Sequence, residues 1–382
     1  MNTSQKPGLY LHIPFCKSKC GYCDFYSTTN SEYRSAFLNA LLKEINIHAQ
    51  KYSKESIFDT VYLGGGTPSL LTSQELSEIF NALIKNFSIS QDVEITIEIN
   101  PDTVDRIKLI KYINLGINRI SVGVQSFNNK ELKLLGRAHT VKQSLTCLRL
   151  LQDVGFNNFN IDLIYALPNQ NICSWTYTLE KAVSYKPAHI STYNLTFEKG
   201  TPYYMALKTG KLNVLSEDKE IILYQLTHDY LLSNGYIHYE ISNYAKSHQK
   251  ISRHNYKYWD HAPYIGLGPS AHSFWSKKRW GNRKSIRSYI LELKLNKLPI
   301  EFTEFLMDKD VLFEYIFLKL RTYQGINLVN FKKDFGRDFV QLHRNNVQQL
   351  LKQNLAVIND GFFRLSDKGM LLCDEILPSF VS

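Results

Sequence analysis

The chain has 382 residues, 44% apolar and 21% charged, and 45 Lys and Arg against 35 Asp and Glu give it a net charge of +10. This composition excludes a disordered or fibrous protein and leaves room for two domains, or for one large domain with an appendage. The positive balance favours anionic partners such as nucleic acid, acidic lipid or a carboxylate-bearing ligand, but no long basic run marks a nucleic-acid arm. No apolar run approaches the ~18 residues of a membrane helix, and the polar start MNTSQKPG lacks a signal core. A reduced, cytoplasmic setting is therefore expected for the six cysteines.

Residues 9–13 read as a short apolar strand that runs into Cys16, Cys20 and Cys23, a Cys-x3-Cys-x2-Cys spacing. Soft sulfur ligands select zinc, copper(I) or iron–sulfur clusters. Structural zinc normally takes four protein ligands, and three cysteines are one short. A four-iron cluster held by three cysteines instead keeps one iron open to an outside ligand. The bland alternative is three buried thiols acting as small hydrophobes, but the segment is rich in Lys, Gly and Asp and reads as a loop. His12 could supply a fourth zinc ligand, but it lies inside the strand pattern, before Pro14. Cys147, Cys173 and Cys373 stand in apolar or mixed stretches and are expected to be ordinary buried thiols.

Strand and helix patterns then alternate. Residues 31–50 have helical periodicity, and 61–63 form a strand ending in Gly64-Gly65-Gly66-Thr67-Pro68. Thr72 or Ser73 caps a helix running to Lys85. Strands follow at 93–99, 119–125, 159–164 and 189–195, with helices at 104–115, 130–135, 142–154, 174–184 and 217–233. Six β–α units in a row predict a parallel sheet with helices outside. No Gly-x-Gly-x-x-Gly follows the first strand, so a curved, partial (β/α)6 barrel is expected, with its site at the C-terminal strand ends.

Three strands carry one aliphatic and one polar face. Ile95, Ile97 and Ile99 oppose Glu94, Thr96 and Glu98; Ile120, Val122 and Val124 oppose Ser121, Gly123 and Gln125; Phe159, Ile161 and Leu163 oppose Asn160 and Asp162. A sheet buried on both faces as plain core would be apolar nearly throughout. The polar face implies a wet or ligand-filled barrel interior, the alternative being groups that only satisfy one another. The glycines before Thr67 permit positive φ and close backbone approach to a ligand.

Beyond residue 195 the pattern loosens. A strand is expected at 236–242, followed by Arg253-His254-Asn255-Tyr256-Lys257-Tyr258-Trp259, in which imidazole suits iron and aromatic rings suit a flat porphyrin. The bland reading of this segment is an aromatic cluster packed on the barrel edge. GLGPSAHSFW, containing His272, again has the character of a glycine-rich strand end. From about residue 301, helices at 311–320, 327–335 and 340–351, a hairpin of 355–358 with 362–365 and a helix at 368–376 describe a winged-helix-like module, for which a cap beside the barrel is the bland reading and DNA binding the sharper one. The chain thus divides into 1–235, a barrel extension 236–300 and 301–382.

The cysteine spacing with Tyr22 before the last cysteine, set in YLHIPFC and CDFYS, resembles the radical S-adenosylmethionine (SAM) superfamily. Within it, the chain is similar to the coproporphyrinogen III dehydrogenase-like branch and to its heme chaperone, HemW-like, subfamily. The resemblance implies an α/β radical-SAM partial barrel with a winged-helix-like C-terminal domain. It implies a [4Fe-4S] cluster on Cys16, Cys20 and Cys23, with SAM chelating the open iron. Tyr10, Tyr22, Gly66, Thr67, Glu98, Gln125, Arg137 and Asp162 match SAM-contacting positions of the branch. GGGTP stands where the superfamily has its GGE-type motif. His-Asn-x-x-Tyr-Trp matches the motif of the heme chaperones, which makes His254, Asn255, Tyr258 and Trp259 heme candidates, with His272 a second candidate ligand.

Three functions remain open at this point: a heme chaperone serving heme-accepting proteins, an oxygen-independent coproporphyrinogen III dehydrogenase, and a radical SAM enzyme acting on RNA. The dehydrogenase pattern carries a further cysteine two residues after the third ligand, where this chain has Phe25, and a longer segment before the cluster, where fifteen residues precede Cys16. The RNA reading lacks a second cysteine cluster or an RNA-binding module. The chaperone reading includes heme as a third cofactor, a place at the inner face of the membrane and self-association into a homo-oligomer.

Overall fold

A computed structural model describes residues 5–53 and 56–380; residues 1–4 of the polar start, 54–55 and 381–382 lie outside the described residues. The apolar alternation of the first half produces six strands: β1 (Gly8–Ile13), β2 (Phe58–Gly65), β3 (Ile89–Ile99), β4 (Arg119–Gln125), β5 (Phe159–Tyr165) and β6 (His189–Asn194). They pair in parallel in sequence order. Between them lie α1 (Arg34–Tyr52), α2 (Ser73–Asn86), α3 (Arg106–Asn114), α4 (Asn129–Leu134), α5 (Val141–Asp153) and α6 (Ile172–Ser184). The aliphatic strand faces, including Ile97, Val122 and Ile161, join Phe37, Leu41 and Leu76 of the helices in one buried core. Burial of this apolar surface is the main driving term of the fold. Thr72 accepts from the Glu75 N–H while Glu75 bonds back to the Thr72 N–H, a capping box that fixes the start of α2.

The six-stranded unit is the centre of a twelve-stranded sheet. After α7 (Pro202–Lys208) and α8 (Glu217–Ser233), the hairpin β7 (Ile237–Glu240) and β8 (Asn243–Ala245) adds antiparallel to β6. The single strand expected at 236–242 is therefore two. Glu240 accepts from the Ser242 N–H and from the Asn243 side chain, and these bonds stabilise the turn between them. The short helix α9 (Arg253–Trp259) leads to β9 (Tyr264–Leu267), which lies parallel to β1 on the side away from β2. The antiparallel strands β10 (His272–Trp275) and β11 (Lys278–Asn282) follow; then α10 (Ile286–Lys294) leads to β12 (Ile300–Phe305).

The C-terminal boundary expected at residue 301 falls inside β12, because Ile300–Phe305 pairs along β11 as the outer strand of the large sheet. A second core begins in α11 (Asp308–Lys319), whose Ile316 packs with residues of the C-terminal module. That module holds β13 (Ile326–Asn327), α12 (Leu328–Phe335), α13 (Phe339–Leu342), α14 (Arg344–Lys352), the hairpin β14 (Ala356–Asn359) and β15 (Phe362–Leu365), α15 (Asp367–Leu371) and α16 (Cys373–Ile376). Two helices expected to be continuous are interrupted, one at His343 and one at Leu372, where φ is −115° and −103°. Among the described residues no helix is long and apolar enough to cross a membrane. Cys147 and Cys373 are buried as expected, whereas Cys173 is exposed, in the first turn of α6.

Candidate functional site

The cysteine loop leaves β1 at the C-terminal edge of the parallel sheet. Its first residues are held by main-chain bonds: Cys16 N–H to the Thr28 carbonyl (3.0 Å) and Thr28 N–H to the Pro14 carbonyl (2.7 Å). Cys16, Cys20 and Cys23 line one cleft with Tyr22, Gly66, Thr67 and Arg137. Seven of the eleven residues expected to hold the cluster or SAM therefore meet in one place. All three thiols are free, and Cys23 lies within electrostatic reach of the other two.

The donor set suits a polynuclear centre. Three sulfurs line one cleft, one ligand short of a structural zinc site and of the soft type that iron–sulfur clusters take. His12 is otherwise engaged. Its Nε2 donates to the Tyr26 carbonyl at 2.8 Å, and its Nδ1 accepts from the Tyr10 hydroxyl at 3.1 Å.

The glycine turn is shaped by close packing. Gly65 has φ +103°, and a Cβ there would lie 2.6 Å from the His12 ring; one on Gly66 would lie 2.8 Å from the carbonyl oxygens of Ile13 and Phe15. Those same carbonyls accept the Gly66 and Thr67 N–H groups, at 2.8 Å each. Thr67 Oγ1 faces Cys16 Sγ at 3.6 Å and accepts from Asn100 Nδ2 at 3.0 Å. Arg137 donates to Asn100 Oδ1 (2.5 Å), to the Gly123 carbonyl (3.1 Å) and toward Cys20 Sγ (3.7 Å). Asn100 thus joins the glycine turn to the arginine. Sequence reading missed it, and its one signal is its place directly after β3, in line with the polar face of Glu98. Lys17, paired with Asp102 at 2.7 Å, also lines the cleft and was likewise missed.

Tyr10, Glu98, Gln125 and Asp162 stand on the inner strand faces and outside the lining of the cysteine cleft. Tyr62 donates to Glu98 Oε1 at 2.8 Å. Burial, reinforced by Asp162, pushes the Glu98 carboxyl up to about 7. Asp162 accepts from Ser121 (2.8 Å) and Asn160 (2.7 Å), and the Asn160 amide also reaches Ser191 and His189. Part of the polar face is thus a self-satisfying network. Gln125 stays open: it has φ +67° and a buried Oε1 without a hydrogen-bond partner. Phe25 is 68% exposed beside the cysteine loop.

The aromatic motif lies at the other end of the barrel. Glu94 accepts from the Arg253 and His254 N–H groups (3.2 and 3.1 Å), anchoring the first turn of α9 beneath the strands. His254 is 1% exposed. Its Nδ1 is 2.8 Å from Thr60 Oγ1 and its Nε2 is 2.9 Å from the Tyr258 hydroxyl. The ring stacks on Tyr62 (5.1 Å) and Tyr10 (6.3 Å), and burial lowers its pKa to about 3. In this conformation neither nitrogen is free for iron, so iron ligation would require both bonds to open. His254 faces the start of β1, and the cysteine loop leaves its far end, five residues or about 17 Å along the strand. Asn255, Tyr258 and Trp259 are half-buried on the same short helix. His272 is exposed at the start of β10, edge-on to Phe302 at 5.4 Å.

The sequence model of the radical SAM superfamily matches residues 10–182, and that of the HemN C-terminal domain matches 306–372. The chain is 35% identical to heme chaperone HemW of Escherichia coli, with 98% of each chain covered. It is 34% identical to heme chaperone HemW of Lactococcus lactis, covering 99% of this chain and 98% of that one. Radical S-adenosyl methionine domain-containing protein 1, mitochondrial, of Danio rerio is 30% identical, covering 98% and 86%. Among solved structures, coproporphyrinogen III oxidase (HemN) of E. coli superposes with a TM-score of 0.85 at 23% identity, over 99% of this chain and 91% of that one, which shows a shared fold.

Proposed function

The chain belongs to the HemW family of the radical SAM superfamily, and from that membership we propose that it is a heme chaperone, binding heme and passing it to acceptor proteins. The observation that carries this reading is similarity to proteins named heme chaperone HemW over nearly the whole length of both chains.

Cys16, Cys20 and Cys23 are the proposed holders of a [4Fe-4S] cluster. When bound, such a cluster supplies an open iron for SAM and the electron for its reductive cleavage. Tyr22, Gly66, Thr67 and Arg137 would border SAM, and Glu98, Gln125, Asp162 and Tyr10, on the inner strand faces, would supply the remaining contacts. The Gly66 carbonyl accepts no main-chain bond among the described residues, which suits an amine. The net charge of +10 supports contact with heme propionates and with an anionic membrane face, where acceptors would be met. Homo-oligomer formation belongs to the same reading, and sedimentation of heme-loaded protein would measure it.

The test is titration of ferric heme into anaerobically purified, cluster-loaded protein, followed in the Soret region, and then mixing with an apo heme protein. A Soret shift on binding and a second on transfer are expected. Absence of the first overturns the reading. Conversion of coproporphyrinogen III to protoporphyrinogen IX by the same preparation would replace it with the dehydrogenase assignment.

A further inference from the structure

At the lower end of the barrel, a cleft of about 700 Å³ separates the large sheet from the C-terminal module. Its size lies within the range of small-molecule and cofactor sites, roughly 300–1,000 Å³. One wall comes from β7 and from the segment leading into α9, the other from the start of the C-terminal module and the β14–β15 hairpin. Three tyrosines form its body: Tyr239, Tyr256 and Tyr323. The hydroxyls of Tyr239 and Tyr323 are held outside the cleft, by His189 (2.7 Å) and His228 (3.4 Å), and that of Tyr256 by Gln324 (3.0 Å) on the cleft wall. The polar tips are thereby anchored, and the rings remain as flat, apolar lining.

Two lining groups have no described use. His248 is exposed, with no hydrogen-bond, ion-pair or ring partner among the described residues. The side chain of Arg364, in β15, likewise has no hydrogen-bond or ion-pair partner among the described residues. The nearby acidic group, Asp367, lies 3.7 Å from His228. A free imidazole and a free guanidinium on an aromatic-walled cleft are complementary to a flat, iron-bearing, carboxylate-carrying ring: imidazole to iron, guanidinium to carboxylate. The cleft also abuts the aromatic motif from outside. Tyr256 belongs to α9, whose inner residue His254 is closed off in the barrel.

Resting on the chaperone reading, we propose that this interdomain cleft is the heme-binding site, with His248 as axial ligand and Arg364 as the propionate partner. Helix α9 contributes Tyr256 to the wall, and His254 holds that helix in place. Placing heme between two modules also leaves one edge of the cleft open for hand-over.

The experiment titrates ferric heme into the full-length, cluster-loaded wild type and into His248→Ala, Arg364→Glu and His254→Gln. Neither the His248 nor the Arg364 side chain has a described partner, and unchanged circular dichroism and melting temperature are expected for both variants. Arg364→Glu should weaken heme affinity about tenfold or more, and His248→Ala should remove the absorption of an imidazole-ligated iron. His254→Gln should keep that absorption. Wild-type titration curves and spectra in both cleft variants would overturn the cleft while leaving the chaperone reading intact. Absence of heme binding by the wild type would overturn the chaperone reading itself.

Discussion

His254 Nδ1 lies 2.8 Å from Thr60 Oγ1, a bond between residues 194 positions apart that fastens α9 to the base of β2. Burial, with Lys257 and Arg119 adding to it, holds this imidazole neutral by lowering its pKa to about 3. The unfolded chain takes up a proton near 6.5 while the folded protein does not, so stability is lost as pH falls below about 6.5. His254→Gln should be destabilising at pH 7, because the Thr60 and Tyr258 partners are left imperfectly paired. It should recover by about 3 kcal/mol relative to wild type by pH 4, since glutamine has no proton to refuse. Denaturant melts of both proteins across that range check the crossover; a constant gap would show that His254 is not held neutral.

Glu98 should make SAM binding pH-dependent. Its carboxyl is raised to about 7, so it is mostly protonated at pH 6 and mostly ionised at pH 8. A carboxylate accepts from the SAM amine or ribose hydroxyls better than the neutral acid does. SAM affinity of the cluster-loaded protein should therefore rise about tenfold between pH 6 and 8, following the ionised fraction. Glu98→Gln should flatten that rise. Calorimetric titrations at the two pH values measure it.

Cys20→Ser should abolish the cluster. Cys20 stands between the other two cysteines in sequence and faces Arg137 across 3.7 Å. Iron and acid-labile sulfide content after anaerobic reconstitution should fall to background, with the brown absorption lost and the circular dichroism of the fold retained. Full iron content in this variant would reassign the ligands.

Gly65→Ala should be costly at a position with no polar side chain. The backbone there has φ +103°, and the added carbon would meet the His12 ring at 2.6 Å. Strain and displacement together should destabilise the protein by more than about 2 kcal/mol. They should also weaken SAM binding through the neighbouring Gly66. Thermal melts and SAM titration check both effects.

The barrel could be read from the sequence because its information is local. Ile95, Ile97 and Ile99 alternate with polar partners, and strand geometry alone puts them on one face. The cysteine cleft was nearly as legible, since its ligands lie within eight residues and its glycine turn ends the next strand. Asn100 was not, because Asn-Pro after a strand reads simply as a turn, and its bonds to Thr67 and Arg137 bridge three separate loops. The burial of His254 was also hidden: both its enclosing rings and Thr60 come from the first two strands, and a seven-residue helix carries too little periodicity to mark an inner face. Strand β12 was missed because its exposed Phe302 and Phe305 give no core-facing pattern, and only pairing with β11 defines it.

Strand β1 has β2 on one side and β9 on the other. The strand that leads into the cysteine loop therefore gains its second neighbour only once Tyr264–Leu267 has left the ribosome. Until then β1 has an open edge, and Gly8 and Thr60 lack the imidazole that packs against them. Domains generally assemble as units during synthesis, and here the unit closes late. Maturation of the metal centre should accordingly follow completion of most of the chain, and chains truncated before β9 should emerge with their cysteines unprotected.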